Sequence, residues 1–117
     1  MARKDEVGRA GERYARGWLE RRHWRILDHN WRCSHGEVDI VATRGGELVF
    51  FEVKTRTSTR FGYPVDAISA TKLARMRRVA GAWLDAHPSQ RGRIRLDLIG
   101  ILADSGPPVI EHLEAVG

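Results

Sequence analysis

Two acids and a lysine stand at strand spacing in the middle of this 117-residue chain: Asp39, then Glu52 and Lys54. They belong to Gly36-Glu37-Val38-Asp39-Ile40-Val41-Ala42 and Leu48-Val49-Phe50-Phe51-Glu52-Val53-Lys54, with Gly45-Gly46 between the two runs. A Gly-Gly pair between apolar, β-branched runs signals a two-residue hairpin turn. With those glycines as the turn, paired residue numbers add to 91, so Asp39 opposes Glu52 and Glu37 opposes Lys54. Side chains repeat every two residues along a strand, which puts all four on one face. Val38, Ile40, Phe51 and Val53 are expected on the other face, toward a core.

Opposed side chains have Cβ atoms ~5 Å apart, and like charges there destabilise the pair. At an effective dielectric near 20, two unit charges ~4 Å apart repel by about 4 kcal/mol. A divalent cation removes that repulsion, and Mg²⁺ takes one or two carboxylates together with waters and substrate phosphates. Lys54 on the same face could orient a water or stabilise charge on a phosphate. The residues alone leave a second reading open, in which the acids splay on a solvated face and Lys54 neutralises one of them. Their place inside otherwise apolar strands favours the cation.

The elements that must carry these residues read as follows. Residues 5 to about 22 form a helix, with Val7, Ala10, Tyr14 and Trp18 as its apolar set and Arg9, Arg13, Arg16 and Glu20 on another side. Gly8 and Gly11 lower its propensity and suggest a close approach to another element. Strands are expected over residues 24 to about 31, 37–43 and 47–55, followed by a loop over 56–65. A second amphipathic helix over 69–87 has Leu73, Met76, Ala80, Trp83 and Leu84 inward and Lys72, Arg75 and Arg78 outward, and Pro88 closes it. A fourth strand covers 93–103, and residues 109–113 add an edge strand. The order αβββαβ with a β tail indicates one α/β (α+β) domain over residues 1–117.

Composition bounds the function. The chain holds 20 Lys and Arg against 15 Asp and Glu. Residues 96–117 contain four acids and no Lys or Arg, so residues 1–95 carry 20 bases against 11 acids, a balance of +9. Such a body suits an anionic partner, most simply nucleic acid, although a solvated Arg-rich surface would look alike. No apolar run approaches the ~18 residues a bilayer requires, so no membrane partner is expected. A charged N-terminus and a single cysteine, Cys33, lead to the expectation of a cytoplasmic protein. The five histidines show neither HExxH nor zinc-finger spacing and are expected to be structural or exposed. Trp18 and Trp83 are expected in the core.

Val38-Asp39, a 12-residue interval, then Glu52-Val53-Lys54 resembles the PD-(D/E)xK nuclease signature, with Val38 in place of the proline. The element order resembles the restriction-endonuclease-like core, with a mixed central sheet, shared by archaeal Holliday-junction resolvases. More narrowly, the chain resembles the bacterial YraN-type family of small nuclease-like proteins. That match rests on Gly8, Gly11-Glu12, Asn30, Gly36 to Asp39, Phe51 to Arg56, Phe61-Gly62, Pro64, Lys72 and Arg95-Leu96-Asp97. It covers residues 8–102.

The resemblance implies Asp39 and Glu52 as ligands of Mg²⁺ or Mn²⁺, with the Val53 carbonyl as a third. It implies Lys54 as the residue that positions the attacking water and Glu12 as an outer acid delivered by the first helix. A salt bridge of Glu12 with Arg9 or Arg16 is the plainer alternative. Glu37 and Asp97 rank behind these as supporting residues, Glu37 through Lys54 and Asp97 through Arg95. Arg56 and Arg60 in the loop and Lys72, Arg75 and Arg78 on the second helix are candidate phosphate contacts. The expected function is a metal-dependent endonuclease acting on nucleic acid, DNA in repair or recombination, with a homodimer as a plausible assembly. Its rivals are a non-catalytic nucleic-acid-binding module of the same fold and a small-molecule phosphodiesterase.

Overall fold

The computed structural model describes residues 2–60 and 62–117, with side chains from Glu6 onward except Ala67. Phe61, one of the residues carrying the resemblance, lies outside the described residues. Helix α1 (Ala2–Arg21) leads into strands β1 (Arg25–Cys33), β2 (Gly36–Arg44) and β3 (Glu47–Arg56). A 3₁₀ turn (Pro64–Ala67), helix α2 (Ala70–Ala86), and strands β4 (Arg93–Leu102) and β5 (Val109–Leu113) follow. The sheet order is β1-β2-β3-β4-β5. Only β3 and β4 run parallel, and α2 makes the crossover that a parallel pair requires. This is the expected mixed sheet in an α/β (α+β) fold. No described helix is long and apolar enough to cross a membrane.

Local chemistry fixes the elements. Gly45 and Gly46 adopt φ of 59° and 80°, the left-handed values a tight hairpin needs at both central positions. Ser69 caps α2 by accepting the Lys72 N–H at 3.2 Å, and Pro88 follows its last turn.

Both faces of the sheet are covered, one helix to each. On the first face, Ala15 and Leu19 of α1 pack on Ile40, Ala42, Val49, Phe51, Val53, Ile99 and Ile101. On the second, Met76, Val79, Ala80 and Trp83 of α2 pack on Val41, Leu48, Phe50 and Leu96. Val38 joins this second group rather than Ile40, Phe51 and Val53. A central strand buried on both sides reads as a continuous apolar run, as Leu48 to Phe51 does.

The inward face of α1 also differs from expectation. Gly11, Ala15 and Leu19 are buried, whereas Ala10 is exposed and Tyr14 is 37% exposed. Trp18 is half-buried and packs against this core as expected, edge-on to His112 and with Arg22 over its ring. Small residues take the inward positions Gly11 and Ala15, where the helix lies close to the sheet, and Leu19 fills the inward position further along. A Cβ at Gly11 would stand 1.9 Å from Thr55 Oγ1 and 3.0 Å from Thr55 Cβ. A Cβ at Gly8 would meet nothing within 4 Å.

Gly11→Ala should therefore push α1 off β3 and lower stability by about 1–3 kcal/mol, as overpacking does. Gly8→Ala should be neutral or stabilising by up to about 1 kcal/mol, the gain in helix propensity. Urea unfolding of the two variants checks this, and equal effects would refute the close approach.

Candidate functional site

The β2–β3 ladder runs from Arg44 opposite Glu47 to Ile40 opposite Phe51, in the register the two-glycine turn dictates. It stops one rung short of Asp39 and Glu52. In the same register the next main-chain partner of Val53 would be Val38. Instead the Val53 N–H donates to the carboxylate Oδ2 of Asp39 at 2.7 Å. A side chain thus replaces a ladder bond, and β2 parts from β3 where the two acids stand. Val53 presents its carbonyl to the same side as its N–H, as an extended residue does.

The fork is a costly place for charge. Asp39 is only 7% exposed, and Glu52 is half-buried. Burial first, and the Glu52 charge second, push the Asp39 carboxyl up to about 8 against the Val53 hydrogen bond. Glu12 and Glu37 push in the same direction. Burial also raises Glu52, while the charges of Lys72, Arg75 and Lys54 oppose it and Glu12 adds to it. A carboxylate pair that cannot ionise comfortably, with a main-chain carbonyl alongside, is an all-oxygen donor set suited to a hard divalent cation. Among the described residues no three His, Cys, Asp or Glu side chains are gathered tightly enough to form a metal cluster by themselves. The fit rests on Asp39 and Glu52.

Each neighbouring residue is delivered by a distinct element. The Gly11–Thr55 contact lays α1 against the end of β3, which brings Glu12 toward the fork. The Glu12 carboxylate accepts from Asn30 Nδ2 at 2.7 Å, not from Arg9 or Arg16. Lys54 is level with Gly100 of β4, where the missing side chain admits Pro64 and Val65 of the 3₁₀ turn. Arg75 reaches from α2 across Gly36, whose absent Cβ would lie 3.1 Å from Arg75 Cδ. Lys72, one helical turn earlier, acts electrostatically on Glu52 as Arg75 does.

Other sequence candidates stand apart. The expected Glu37–Lys54 rung does not form, because β2 has left β3; Glu37 pairs instead with Arg32 across β1–β2 at 3.3 Å. Asp97 is level with Phe51, so its side chain belongs to the face opposite Glu52. There it is fully buried and accepts from Arg95 at 2.9 and 2.8 Å, from His112 at 2.7 Å and from the Ala115 N–H at 3.0 Å. Burial would raise its carboxyl, but the bonds from His112, Arg95 and Ala115 together hold it below the ordinary range. It is therefore a structural hub rather than a support of the fork. Arg78 is exposed, three residues beyond Arg75. Arg60 lies on the exposed stretch after β3, and Arg56 is half-buried with a shielded Nε that no acceptor meets.

Sequence reasoning gave no role to Asn30, and nothing in one sequence signals a contact between residues 18 apart in different elements. His112 and His87 are structural as expected; His87 stacks on buried Trp83, whose indole N–H donates to Asp28 at 2.9 Å.

The family model for "Uncharacterised protein family UPF0102" matches residues 11–101, which include Glu12, Asp39, Glu52 to Lys54, Lys72 and Arg75. The chain belongs to the UPF0102 family. It is 48% identical over 118 residues to a UPF0102 protein of Arthrobacter sp. (strain FB24), with 100% of both chains covered. It is 45% identical to one of Beutenbergia cavernae, again with 100% of both covered. A third, from Leifsonia xyli, is 44% identical with 99% of each covered. These UPF0102 relatives extend over the whole fold.

The raised Asp39 carboxyl has a signed consequence. A carboxyl that holds its proton more firmly folded than unfolded stabilises the fold at low pH, and that stability fades as pH rises from its ordinary 3.8 toward about 8. Asp39→Asn keeps an oxygen for the Val53 N–H and carries no charge. In EDTA, wild type should lose stability relative to Asp39→Asn across that window, by up to ~1.4 kcal/mol per pH unit. By pH 8 the variant should match or exceed wild type. Denaturant midpoints at several pH values check this, and a flat difference would refute it.

Proposed function

We propose that this protein is a Mg²⁺- or Mn²⁺-dependent nuclease that hydrolyses phosphodiester bonds. The observation that carries the reading is the Asp39–Glu52 pair at the strand fork, with the Lys54, Lys72 and Arg75 charges acting on Glu52. The likeness of Val38-Asp39 and Glu52-Val53-Lys54 to the PD-(D/E)xK signature supports it.

In this reading Asp39, Glu52 and the Val53 carbonyl hold the metal, with Glu12 as an outer acid. When bound, the metal supplies a Lewis acid for the phosphoryl oxygens and lowers the pKa of a bound water. Lys54 donates to the attacking water or to a phosphate oxygen and so fixes the line of attack. Lys72 and Arg75 hold the scissile phosphate near the acids, and the basic surface with Arg56, Arg60 and Arg78 grips the flanking backbone. Water adds to phosphorus as the bond to the leaving 3′ oxygen breaks. The nuclease likeness points to DNA in repair or recombination and to a cytoplasmic protein. A second copy would extend a footprint that one small chain covers poorly.

A cleavage panel of linear, single-stranded, flapped and four-way DNA, with RNA and a cyclic dinucleotide, tests this in Mg²⁺, Mn²⁺ and EDTA. Metal-dependent cutting is expected. Glu52→Gln and Lys54→Ala should each lower it by about 100-fold or more while melting normally. Wild-type turnover by a folded double variant would sink the assignment. Binding without cutting would leave a non-catalytic module, and hydrolysis of the cyclic dinucleotide alone a small-molecule enzyme.

DNA affinity should fall steeply between ~50 and 200 mM salt. Charge reversal of a phosphate-contacting base should flatten that slope by about 1. Reversal at Arg75 should act more strongly than at Arg78, as titrations at several salt concentrations would show. Equal slopes would place the phosphate surface elsewhere.

A further inference from the structure

Asn30 occupies an unusual place. Its neighbours in β1 pair His29 with Ile40 and Trp31 with Val38, so Asn30 stands across β1–β2 from Asp39. Its φ is 52°, a left-handed value that Asn tolerates better than most residues. From that kink its amide Nδ2 donates to Glu12 Oε1 at 2.7 Å. Its Oδ1 lies 3.1 Å from His29 Nδ1. A carboxylate only accepts hydrogen bonds, so the NH₂ must face Glu12, and the amide oxygen is left to accept from His29. One side chain thus links the α1 acid to the strand position opposite the Asp39 acid. The Glu12 charge acts on both Asp39 and Glu52, so where its carboxylate is held matters to the pair.

We propose that Asn30 is a positioning residue that holds the Glu12 carboxylate toward the Asp39–Glu52 fork as an outer acid of the metal site. This rests on the metal-dependent reading above. Partners that orient metal-binding groups through a hydrogen bond commonly change metal affinity by about 10- to 100-fold when removed. The arrangement makes Asn30 a determinant of metal occupancy rather than of fold. An exposed hydrogen bond contributes little to stability, whereas the direction of an acid decides whether it reaches the cation.

The test is Mn²⁺ binding, read by calorimetry and by loss of the free-ion electron paramagnetic resonance signal, beside melting in EDTA. Asn30→Gly keeps the positive φ without the amide, Glu12→Gln removes the charge, and the double variant closes the cycle. Asn30→Gly should melt like wild type yet bind Mn²⁺ about 10- to 100-fold more weakly. The double variant should bind no worse than Glu12→Gln. Wild-type affinity in Asn30→Gly, or losses that simply multiply in the double variant, would overturn the role of Asn30 while the metal reading stands. No Mn²⁺ binding by wild type would overturn both. Should Asn30→Gly unfold, Asn30→Asp keeps a residue that tolerates the left-handed φ and replaces the donor facing Glu12 with an acceptor. Weaker Mn²⁺ binding at unchanged melting then supports the proposal, and unchanged binding overturns it.

Discussion

A buried carboxylate needs donors, and among the described residues the Val53 N–H is the one hydrogen bond that Asp39 receives, a bond that organises the centre of this molecule. Taking that N–H requires β2 to give up a ladder bond, so the strands separate at Asp39 and Glu52 instead of zipping past them. The separation turns the Val53 main chain toward a carboxylate in a buried region otherwise packed with Val41, Phe50 and Leu48 on one face and Ile40 and Phe51 on the other. One donor leaves the charge on Asp39 poorly met, and the Glu12 carboxylate from α1 makes that charge costlier still. The bases of α2, Lys72 and Arg75, favour the charge on Glu52 instead.

Asp97 shows what the same residue type does when its donors are complete. It is buried as Asp39 is, yet Arg95, His112 and the Ala115 N–H hold its carboxyl below the ordinary range while Asp39 is driven far above it. Burial acts in the same direction on both, so the donors and neighbouring charges decide the outcome: Asp97 has Arg95, His112 and the Ala115 N–H, whereas Asp39 has one N–H and the repelling charge of Glu52. The Asp97 bonds also reach Ala115 and a residue of β5, and the Val116 N–H returns to the Leu96 carbonyl at 2.9 Å. One buried acid therefore fastens the end of the chain, and the other is left electrostatically unfinished. Unfinished electrostatics is the property expected of a site that completes itself with a ligand.

Much of this was legible because the deciding signals are local. Gly45-Gly46 admits one compact turn, and that turn sets the register that brings Ile40 level with Phe51, one rung short of Asp39 and Glu52. Ser69 and Pro88 bracket α2 in the sequence as they do in the fold. The failures are all tertiary. Periodicity on α1 favoured Ala10 and Tyr14, which are exposed, whereas Ala15 and Leu19 enter the core, Trp18 packs against it and Gly11 meets Thr55. Alternation along β2 and β3 located the face of the acids but could not tell that α2 covers it. The Glu37–Lys54 pairing extended the hairpin register past the point where the Asp39 side chain interrupts it. Asp97 pairs with Arg95 as expected, but the parallel register with Phe51 places it on the face opposite Glu52.

Most backbone amides of a central sheet are shielded by a carbonyl that never changes its charge, so their exchange with deuterated solvent reports on opening of the strands. The Val53 amide is held by a carboxylate instead. Its shielding weakens whenever Asp39 takes up a proton, since a neutral carboxyl is the poorer acceptor. The deuteration rate at Val53, set against that of its ladder-bonded neighbours, therefore becomes a direct readout of the ionisation of the fork, available in the intact protein without any added probe.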